Sequence, residues 1–171
     1  MINIKLENHY NIRSISIDDI KIMKSLCERC LDYYLLQNAA PPSKEDAEEI
    51  FTELPPGKNY EDKFVLGLFN HNDQLIGIID IVKNFPTLGQ WMLGLLLIDP
   101  NERCNGLGRI VHNALVKWTI DSGATSLRIG VLEENINGIN FWSNVGYTKI
   151  KEVSIDFTNK THKVHVMTLQ V

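Results

Sequence analysis

The most informative segment of this chain reads Leu95-Leu96-Leu97-Ile98-Asp99-Pro100-Asn101-Glu102-Arg103-Cys104-Asn105-Gly106-Leu107-Gly108-Arg109. It begins as the end of a long apolar run, which is typical of a strand that is covered on both faces. Asp99-Pro100 ends the run, and two glycines then open a helical pattern. A buried strand, a loop and a helix N-terminus therefore follow one another, and the sequence predicts a ligand site at this junction.

The helix that begins at Gly106 offers a binding site for an anion. The first turn of a helix has N–H groups without an intrahelical acceptor, together with the positive end of the helix dipole. Gly106 and Gly108 carry no side chain, so an anion can approach the main chain closely. Arg103 and Arg109 place a positive charge on either side. We therefore predict that this loop holds a pyrophosphate group.

Nucleotide-binding motifs fit the same glycines less well. A Walker loop needs G-x-x-x-x-G-K-[ST], and the chain contains no such run. A Rossmann fingerprint needs a third glycine where this chain has Val111, and an acidic residue at the end of a following strand, which is absent. A nucleotide-binding domain built on Gly106 and Gly108 remains the weaker alternative.

The segments on either side of this junction are predicted from hydrophobic period and capping residues. In chain order they are a strand at 10–15, a helix from an N-cap at 18 to 36, a short helix capped at 43, strands at 64–69, 75–82 and 89–98, a helix at 106–122, a strand at 126–131, a helix at 136–144, and strands at 147–157 and 162–169. Hairpins give antiparallel neighbours, whereas the strand–helix–strand unit at 89–131 gives a right-handed parallel crossover. The predicted fold is mixed α/β (α+β), with a single central, mostly antiparallel sheet flanked by helices.

The totals of the chain limit its fold and its partners. It has 171 residues, 44% of them hydrophobic and 22% charged, and no linker divides it, so we expect a single domain over 1–171. The net charge of -4 gives no general attraction to nucleic acid or to an anionic membrane. The segment 1–5 has no signal-peptide pattern, and the apolar run at 91–98 is too short to span a bilayer. We therefore expect a cytoplasmic protein with no nucleic-acid or membrane partner.

The cysteines and histidines do not predict a metal site. Cys27 and Cys30 have C-x-x-C spacing, but no second pair completes a zinc site. His162 and His165 lie three residues apart in a predicted strand, so their side chains face opposite sides of the sheet. The sequence therefore predicts neither a bound metal nor a disulfide framework.

A family resemblance gives these features a common meaning. Arg103-Cys104-Asn105-Gly106-Leu107-Gly108, with Pro100 three residues ahead, resembles the R/Q-x-x-G-x-G/A motif of the GNAT superfamily of N-acetyltransferases. One strand and one turn later, Asn135-Ile136-Asn137-Gly138-Ile139-Asn140-Phe141-Trp142-Ser143-Asn144-Val145-Gly146-Tyr147 is similar to the family's N-x-x-A-x-x-F-Y-x-x-x-G-F segment. The resemblance covers about 64–147, and it implies the GNAT-like acyl-CoA N-acyltransferase fold.

The resemblance also implies a reaction and a set of binding residues. It implies an N-acetyltransferase that moves an acetyl group from acetyl-CoA, its cosubstrate, to an amine by direct attack on the thioester. The acceptor would be a small-molecule or peptide amine, and the chain a monomer or a homodimer. The main chain at 96–98 would pair with the pantetheine arm, near a bulge that aims an N–H at the thioester carbonyl, and the main chain at 104–109 would hold the pyrophosphate. The implied cofactor-binding residues are Leu96, Leu97, Ile98, Arg103, Cys104, Asn105, Gly106, Leu107, Gly108, Arg109, Asn135 and Trp142.

The chain departs from the family at one position that matters for catalysis. Many family members have a tyrosine four residues before the glycine of the second segment, and it is thought to protonate the leaving thiolate. Here that position is Trp142, whose indole donates a hydrogen bond but does not ionise usefully. The proton would then come from solvent, from the substrate, or from Tyr33 or Tyr34. A CoA-binding module that has lost catalysis is the alternative.

The acceptor amine must lose a proton before it attacks, because a lysine-like amine with a pKa of about 10.4 is mostly charged at neutral pH. The site therefore needs a base, acting directly or through water. Asp80, Glu133 and Glu134 are the candidates, since they lie near the ends of predicted strands. No catalytic residue is assigned from the sequence.

Overall fold

The computed structural model describes all 171 residues. The helices are α1 (Ile20–Arg29), α2 (Leu31–Asn38), α3 (Lys44–Thr52), α4 (Leu107–Asp121) and α5 (Ile136–Asn144). The strands are β1 (Asn3–Lys5), β2 (Asn11–Ser14), β3 (Lys63–Phe69), β4 (Leu75–Val82), β5 (Gln90–Ile98), β6 (Ser126–Leu132), β7 (Thr148–Asp156) and β8 (Thr161–Gln170). Single turns of 3₁₀ helix lie at Glu7–His9, Ile17–Asp19, Tyr60–Asp62 and Pro100–Glu102.

The strands form one eight-stranded sheet in the order β1-β2-β3-β4-β5-β6-β8-β7. Every neighbouring pair is antiparallel except β5 and β6. These two strands are parallel because α4 carries the chain from the end of β5 back to the start of β6, as a parallel crossover requires. The predicted single, mixed and mostly antiparallel sheet is confirmed.

Helices cover both faces of the sheet, and each face has its own hydrophobic cluster. One cluster lies beneath α1, α2 and α3 and includes Met23 and Ile78. The other lies beneath α4 and α5 and includes Leu115 and Ile79. Ile78 and Ile79 are adjacent on β4 and belong to different clusters, since successive side chains of a strand point to opposite faces. The near-continuous apolar strands seen in the sequence are therefore strands buried on both sides.

The first predicted helix is two helices, and the break lies at Cys30. The Cys30 backbone leaves the helical region at φ -90° and ψ 38°. After the break, Asp32 of α2 pairs with Arg103 at 2.6 Å, while Arg29 of α1 pairs with Asp99 at 2.6 Å. The apolar period does not reveal the break because Cys30 is itself buried. Both ion pairs hold the end of β5 against the helices that cover it.

The caps of the N-terminal helices were predicted with mixed success. Ser16 and Asp19 form the capping box at the start of the first helical segment, so the prediction that Asp18 is the N-cap is wrong. The box at Ser43 and Asp46 is confirmed, with a Ser43 N–H to Asp46 Oδ2 distance of 2.6 Å. β1 was not predicted, because three residues are too few to show an alternating pattern. None of the helices combines the length and the apolar character needed to cross a membrane.

Candidate active site

The central feature of the site is a gap within the sheet. β5 and β6 pair over three residues only, Gln90–Met92 with Ser126–Arg128. Beyond Met92, β5 stays paired with β4 as far as Ile98, and β6 stays paired with β8 as far as Leu132. The two halves of the sheet therefore separate, and they leave what we call the sheet gap between the carboxyl-terminal halves of β5 and β6.

The main chain of Leu96 and Ile98 faces the sheet gap. The Asp99 N–H donates to the Ile76 carbonyl of β4 at 2.8 Å. Main-chain groups in an antiparallel pair alternate between facing the partner and facing away, so Leu97 faces β4, whereas Leu96 and Ile98 face away from it. The Leu97 side chain packs in the core beneath the first three helices. An extended ligand in the sheet gap can add to this edge of β5 as a further strand would.

A β-bulge lies on β5 beside the point where the two strands separate. Asp80 of β4 is opposite Leu95 and Ile81 is opposite Leu93, so Gly94 has no partner on β4. A bulge bends its strand and turns its main-chain groups away from the regular ladder. The bulge that the resemblance implies on this strand is therefore present, two residues before Leu96.

The loop from β5 to α4 ends in main-chain N–H groups that are free to bind an anion. Cys104 and Gly106 have left-handed φ values of 64° and 86°. Asn105 Oδ1 accepts from the Leu107 N–H at 3.2 Å, which caps the first turn of α4. The next N–H groups, those of Gly108 and Arg109, have no acceptor in the protein, as expected for a helix N-terminus. The helix N-terminus that the sequence predicted at this loop is therefore present.

The two glycines of the loop are needed for different reasons. At Gly106 a Cβ would have no atom within 4 Å, but the φ of 86° is one that L-residues rarely adopt. Gly108 has an ordinary helical φ, yet a Cβ there would lie 3.2 Å from Phe141 Cε2. Gly108 therefore allows α4 and α5 to pack closely, which sequence reasoning about anion access alone does not reveal.

The two arginines that flank the loop are in different situations. Arg103 donates from Nε to the Ile98 carbonyl at 2.7 Å and pairs with Asp32 at 2.6 Å. The hydrogen bond from Arg103 holds the pKa of the Asp32 carboxyl below its ordinary value. Arg109 is exposed and reaches only the Asn144 carbonyl, at 3.4 Å. The positive charge at the mouth of the loop is therefore mainly that of Arg109, whereas Arg103 fastens the loop to α2.

Asn135 and Trp142, the site residues of the second motif, both have structural roles. Asn135 Oδ1 caps α5 by accepting from the Gly138 N–H at 2.9 Å, and its side-chain amide nitrogen stays without a protein acceptor. Trp142 packs edge-on against His112 and Tyr147, with ring centroids 5.8 and 5.2 Å away. It thus holds α5 against α4, and no phenol stands where the family tyrosine would be.

Tyr33 and Tyr34 are poorly placed to replace that tyrosine. The Tyr34 hydroxyl donates to Cys27 Sγ at 3.2 Å inside the core, and burial raises the pKa of Tyr34. The Tyr33 hydroxyl donates to Gln37 Oε1 at 2.6 Å, and burial raises the pKa of Tyr33 to about 12. A phenol of that pKa is a weak proton donor toward a thiolate whose own pKa is about 8.5.

Asp80 is the candidate base that lies beside the bulge. Its Oδ1 accepts from Lys63 Nζ at 2.7 Å, and the two side chains are only 19% and 3% exposed. Burial raises the pKa of the Asp80 carboxyl, and Lys63 opposes that shift. Both residues line a cavity of about 300 Å³ that also includes Gly94 and Met92. This cavity, which we call the bulge cavity, opens on the face covered by α1, α2 and α3.

Glu133 and Glu134, the other candidate bases, lie after β6 and contact histidine and lysine side chains. Glu134 contacts His162 Nδ1 at 3.8 Å and Lys160 at 3.6 Å, and its side chain is 58% exposed. Glu133 contacts His165 at 3.5 Å and is 48% exposed. His162 and His165 thus contact different carboxylates on opposite sides of β8, as their spacing predicted.

One group of possible metal ligands was not predicted from the sequence. Glu133, Glu152 and His165 bring one ligand atom each to within 4.8 Å of one another. They come from three different segments, so no spacing in the sequence could have found them. Lys149 and Lys163 also contact Glu152, at 3.1 and 3.9 Å, which makes this group a network of surface ion pairs.

A larger cavity of about 540 Å³ lies elsewhere, at the edge of the sheet formed by β1 and β2. Its lining includes His9, Tyr10, His71 and Asp73, and it contains none of the residues that border the sheet gap or the bulge cavity. Cavity size alone therefore does not choose between the candidate sites.

Comparison with known proteins agrees with this geometry. The family model described as "Acetyltransferase (GNAT) family" matches residues 23–147. Among curated proteins, the uncharacterized N-acetyltransferase YobR of Bacillus subtilis is 20% identical over 125 residues. That alignment covers 71% of this chain and 45% of YobR, so the chain spans less than half the length of this relative.

Solved structures of low sequence identity share the fold. An acetyltransferase from Thermus thermophilus is 19% identical, with a TM-score of 0.74 over 95% of this chain and 97% of its own. The spermidine N-acetyltransferase of Vibrio cholerae, solved with CoA and spermine, is 14% identical, with a TM-score of 0.72 over 94% and 95%. The ribosomal-protein-S18-alanine N-acetyltransferase of Escherichia coli is 16% identical, with a TM-score of 0.69 over 94% and 93%. The GNAT-like fold is therefore confirmed.

Proposed function

The chain belongs to the GNAT acetyltransferase family, and from that premise we propose that it is an acetyl-CoA-dependent N-acetyltransferase. It moves the acetyl group to an amine of a small molecule or a peptide, and it does so as one domain over 1–171. The sheet gap carries this proposal, because it offers an unpaired strand edge that leads from the bulge to a helix N-terminus with free N–H groups.

The residues that border the sheet gap fit the parts of acetyl-CoA. The pyrophosphate takes the N–H groups of Gly108 and Arg109 and the nearby charge of the Arg109 side chain. The amides of the pantetheine arm pair with the main chain of Leu96 and with the N–H of Ile98, whose carbonyl already accepts from Arg103 Nε. The thioester then lies near the bulge at Gly94, where a main-chain N–H can stabilise the charge that develops on its carbonyl oxygen.

The transfer is direct, without an acetylated enzyme. The amine nitrogen attacks the thioester carbonyl, the C–N bond forms, the C–S bond breaks, and the acceptor nitrogen loses a proton. A covalent route through cysteine would need a reactive thiolate near the bulge. Cys27 and Cys30 are buried, burial raises the pKa of Cys30 to about 11, and Cys104 lies in the pyrophosphate loop instead.

The leaving thiolate is protonated without a tyrosine at position 142. Trp142 packs between α4 and α5, and the Tyr34 hydroxyl is bonded within the core. A thiol with a pKa of about 8.5 is a good leaving group near neutral pH, and it can take its proton from water or from the attacking amine. The missing phenol also favours a second candidate function, a CoA-binding module without catalysis.

Thermal unfolding with and without acetyl-CoA tests the binding part of this proposal. Ligand at about a hundred times its Kd adds about 2.7 kcal/mol, which raises the Tm of a chain of this size by about 5–10 °C. Arg109→Glu should weaken binding about tenfold or more, because it replaces a charge-assisted contact by a repulsion. Lys117→Glu is the matched control, since Lys117 is also exposed on α4 but lies about 12 Å further along it.

Each outcome has a distinct meaning. A Tm increase that Arg109→Glu reduces and Lys117→Glu leaves intact supports the loop as the pyrophosphate site. No increase for the well-folded native chain refutes acetyl-CoA binding, and with it both candidate functions. Release of free thiol with any member of a panel of primary amines then distinguishes the enzyme from the inactive binding module.

A further inference from the structure

The buried ion pair of Lys63 and Asp80 is not explained by the stability of the fold. Nζ and Oδ1 lie 2.7 Å apart, and the Lys63 side chain is 3% exposed. Removing two charges from water is costly, and apolar residues of similar size often stabilise a protein as well or better. β4 is otherwise apolar around this point, with Ile79 and Ile81 on either side of Asp80. A charged pair in such a strand therefore suggests a functional role.

One oxygen of Asp80 is left for a ligand. Oδ1 accepts from Lys63, whereas Oδ2 has no donor in the protein and borders the bulge cavity. A Cβ at Gly94 would lie 3.5 Å from Oδ2, so the free oxygen lies in van der Waals range of the bulge residue itself. Because Gly94 has no side chain, the bulge residue leaves this oxygen uncovered. The free carboxylate oxygen and the strand bulge thus form one wall of the same cavity.

The other walls of the bulge cavity describe what it holds. Leu54, Pro55, Val82 and Met92 make much of its lining apolar. Glu53 lines it too and is exposed. Since Lys63 neutralises Asp80, Glu53 leaves the cavity with a net negative charge. Such a lining suits a cationic head on an apolar stem, which is the chemistry of a primary alkyl ammonium ion.

We propose that the bulge cavity binds the acceptor as a primary alkyl ammonium ion, and that Asp80 Oδ2 is the base that removes its proton. This inference rests on the proposed N-acetyltransferase function. One proton passes from the ammonium nitrogen to Oδ2, and the neutral amine attacks the thioester carbonyl carbon. The C–S bond then breaks, and the second proton lost by the nitrogen goes to the departing sulfur. Lys63 is a positioning residue, because it fixes Oδ1 and so directs Oδ2 toward the bulge.

The electrostatics of the carboxylates favour Asp80 over the alternatives. Burial raises the pKa of Asp80, which makes its carboxylate a stronger base than an exposed one. Glu133 and Glu134 are about half exposed and contact histidine or lysine side chains. They also follow β6, on the far side of the sheet gap from the cavity. Asp80 is the one of these carboxylates that lies against the bulge.

Asp80→Asn is the decisive variant, since the amide keeps the shape of the side chain and can still accept from Lys63. Its kcat/KM for an alkyl amine that the native protein acetylates should fall by about 100-fold or more near neutral pH, as expected for loss of a general base. The deficit should shrink at higher pH, where the free amine is already abundant. The acetyl-CoA-induced Tm increase should not change. Asp73→Asn is the matched control, because it breaks a carboxylate–cation pair of 2.6 Å far from the bulge.

Two further variants separate catalysis from folding. Gly94→Leu should fill the cavity beside Oδ2 and raise KM for the amine, and the backbone allows it because Gly94 has no left-handed φ. Lys63→Met should move the acidic limb of the kcat/KM profile to higher pH, because Lys63 holds the Asp80 pKa down. If Lys63 were only structural, its replacement would lower the stability of the fold without moving that limb of the pH profile.

The outcomes separate this inference from the proposed function. If the native protein acetylates amines and Asp80→Asn does so equally well with the same pH profile, Asp80 is not the base. If Asp80→Asn does not fold, normal amine kinetics in Gly94→Leu likewise refute the cavity as the acceptor site. If the native protein shows no acetyl-CoA-induced Tm increase, the proposed function fails first and this inference fails with it.

Discussion

Replacement of Gly108 by alanine tests whether this glycine serves packing as well as anion access. A Cβ at this position would lie 3.2 Å from Phe141 Cε2 and 3.4 Å from Cζ, so α4 and α5 would have to move apart slightly. Overpacking of this kind costs about 1–3 kcal/mol, and the higher helix propensity of alanine recovers up to about 1 kcal/mol. We therefore expect Gly108→Ala to lower the free energy of unfolding by about 1 kcal/mol, or the Tm by about 2–4 °C.

Phe141→Leu supplies the second side of a double-mutant cycle, because it removes the two ring atoms that the new methyl group would meet. In that background Gly108→Ala should be neutral or slightly stabilising. Urea unfolding of the native protein, both single variants and the double variant gives the coupling energy directly. A coupling energy within about 0.5 kcal/mol of zero would refute the packing argument and leave anion access as the reason for the glycine.

Three other predictions follow from buried or exposed groups. Arg29→Met should lower the free energy of unfolding by about 3 kcal/mol, because it leaves the buried Asp99 carboxylate without its cation, and Arg29→Met/Asp99→Asn should recover most of the loss in urea unfolding. Burial lowers the pKa of His112 to about 4, so the unfolded chain, with a histidine pKa of about 6.5, binds the extra proton first as the pH falls. The free energy of unfolding should therefore decrease between about pH 6.5 and 4, by at most about 1.4 kcal/mol per pH unit. His112→Gln should flatten this slope, and an unchanged slope would count against a neutral buried His112. An aromatic disulfide reagent should label one thiol in the folded protein, that of the exposed Cys104, because Cys27 and Cys30 are buried. Acetyl-CoA should slow this labelling if its pyrophosphate lies on the loop that contains Cys104. Rapid labelling of all three thiols would contradict the core packing.

The elements from β3 onward were predictable from the sequence to within about one residue. The prediction for α5 at 136–144 agrees with the structure, and so does that for β4 at 75–82. Both segments combine a clear apolar period with local stop signals, such as the turn before β4 and Gly146 after α5. Local chemistry and tertiary packing agree in these segments, so local patterns are sufficient.

The features that define the site were less accessible to sequence reasoning, because they arise from pairing between distant segments. The separation of β5 from β6 after Met92 depends on where each strand finds its other neighbour, and no residue in either strand encodes that alone. The bulge left one local sign, an isolated glycine at position 94 in an otherwise apolar strand. The choice of Asp80 among three candidate carboxylates also required the structure, since only packing shows which of them is buried beside that glycine.

The break at Cys30 connects these observations. In a continuous helix each residue is rotated by about 100° from the one before it. Arg29 and Asp32 would then project in fixed directions from one rigid axis. The break lets each residue take its own direction, so Arg29 reaches Asp99 at the start of the pyrophosphate loop and Asp32 reaches Arg103 further along it. α1 and α2 are thus fixed to the two ends of the segment 99–103, which begins the loop. Because the Asp99 side chain is buried and that of Asp32 is exposed, loss of the Arg29–Asp99 pair should disturb this attachment more than loss of the Asp32–Arg103 pair.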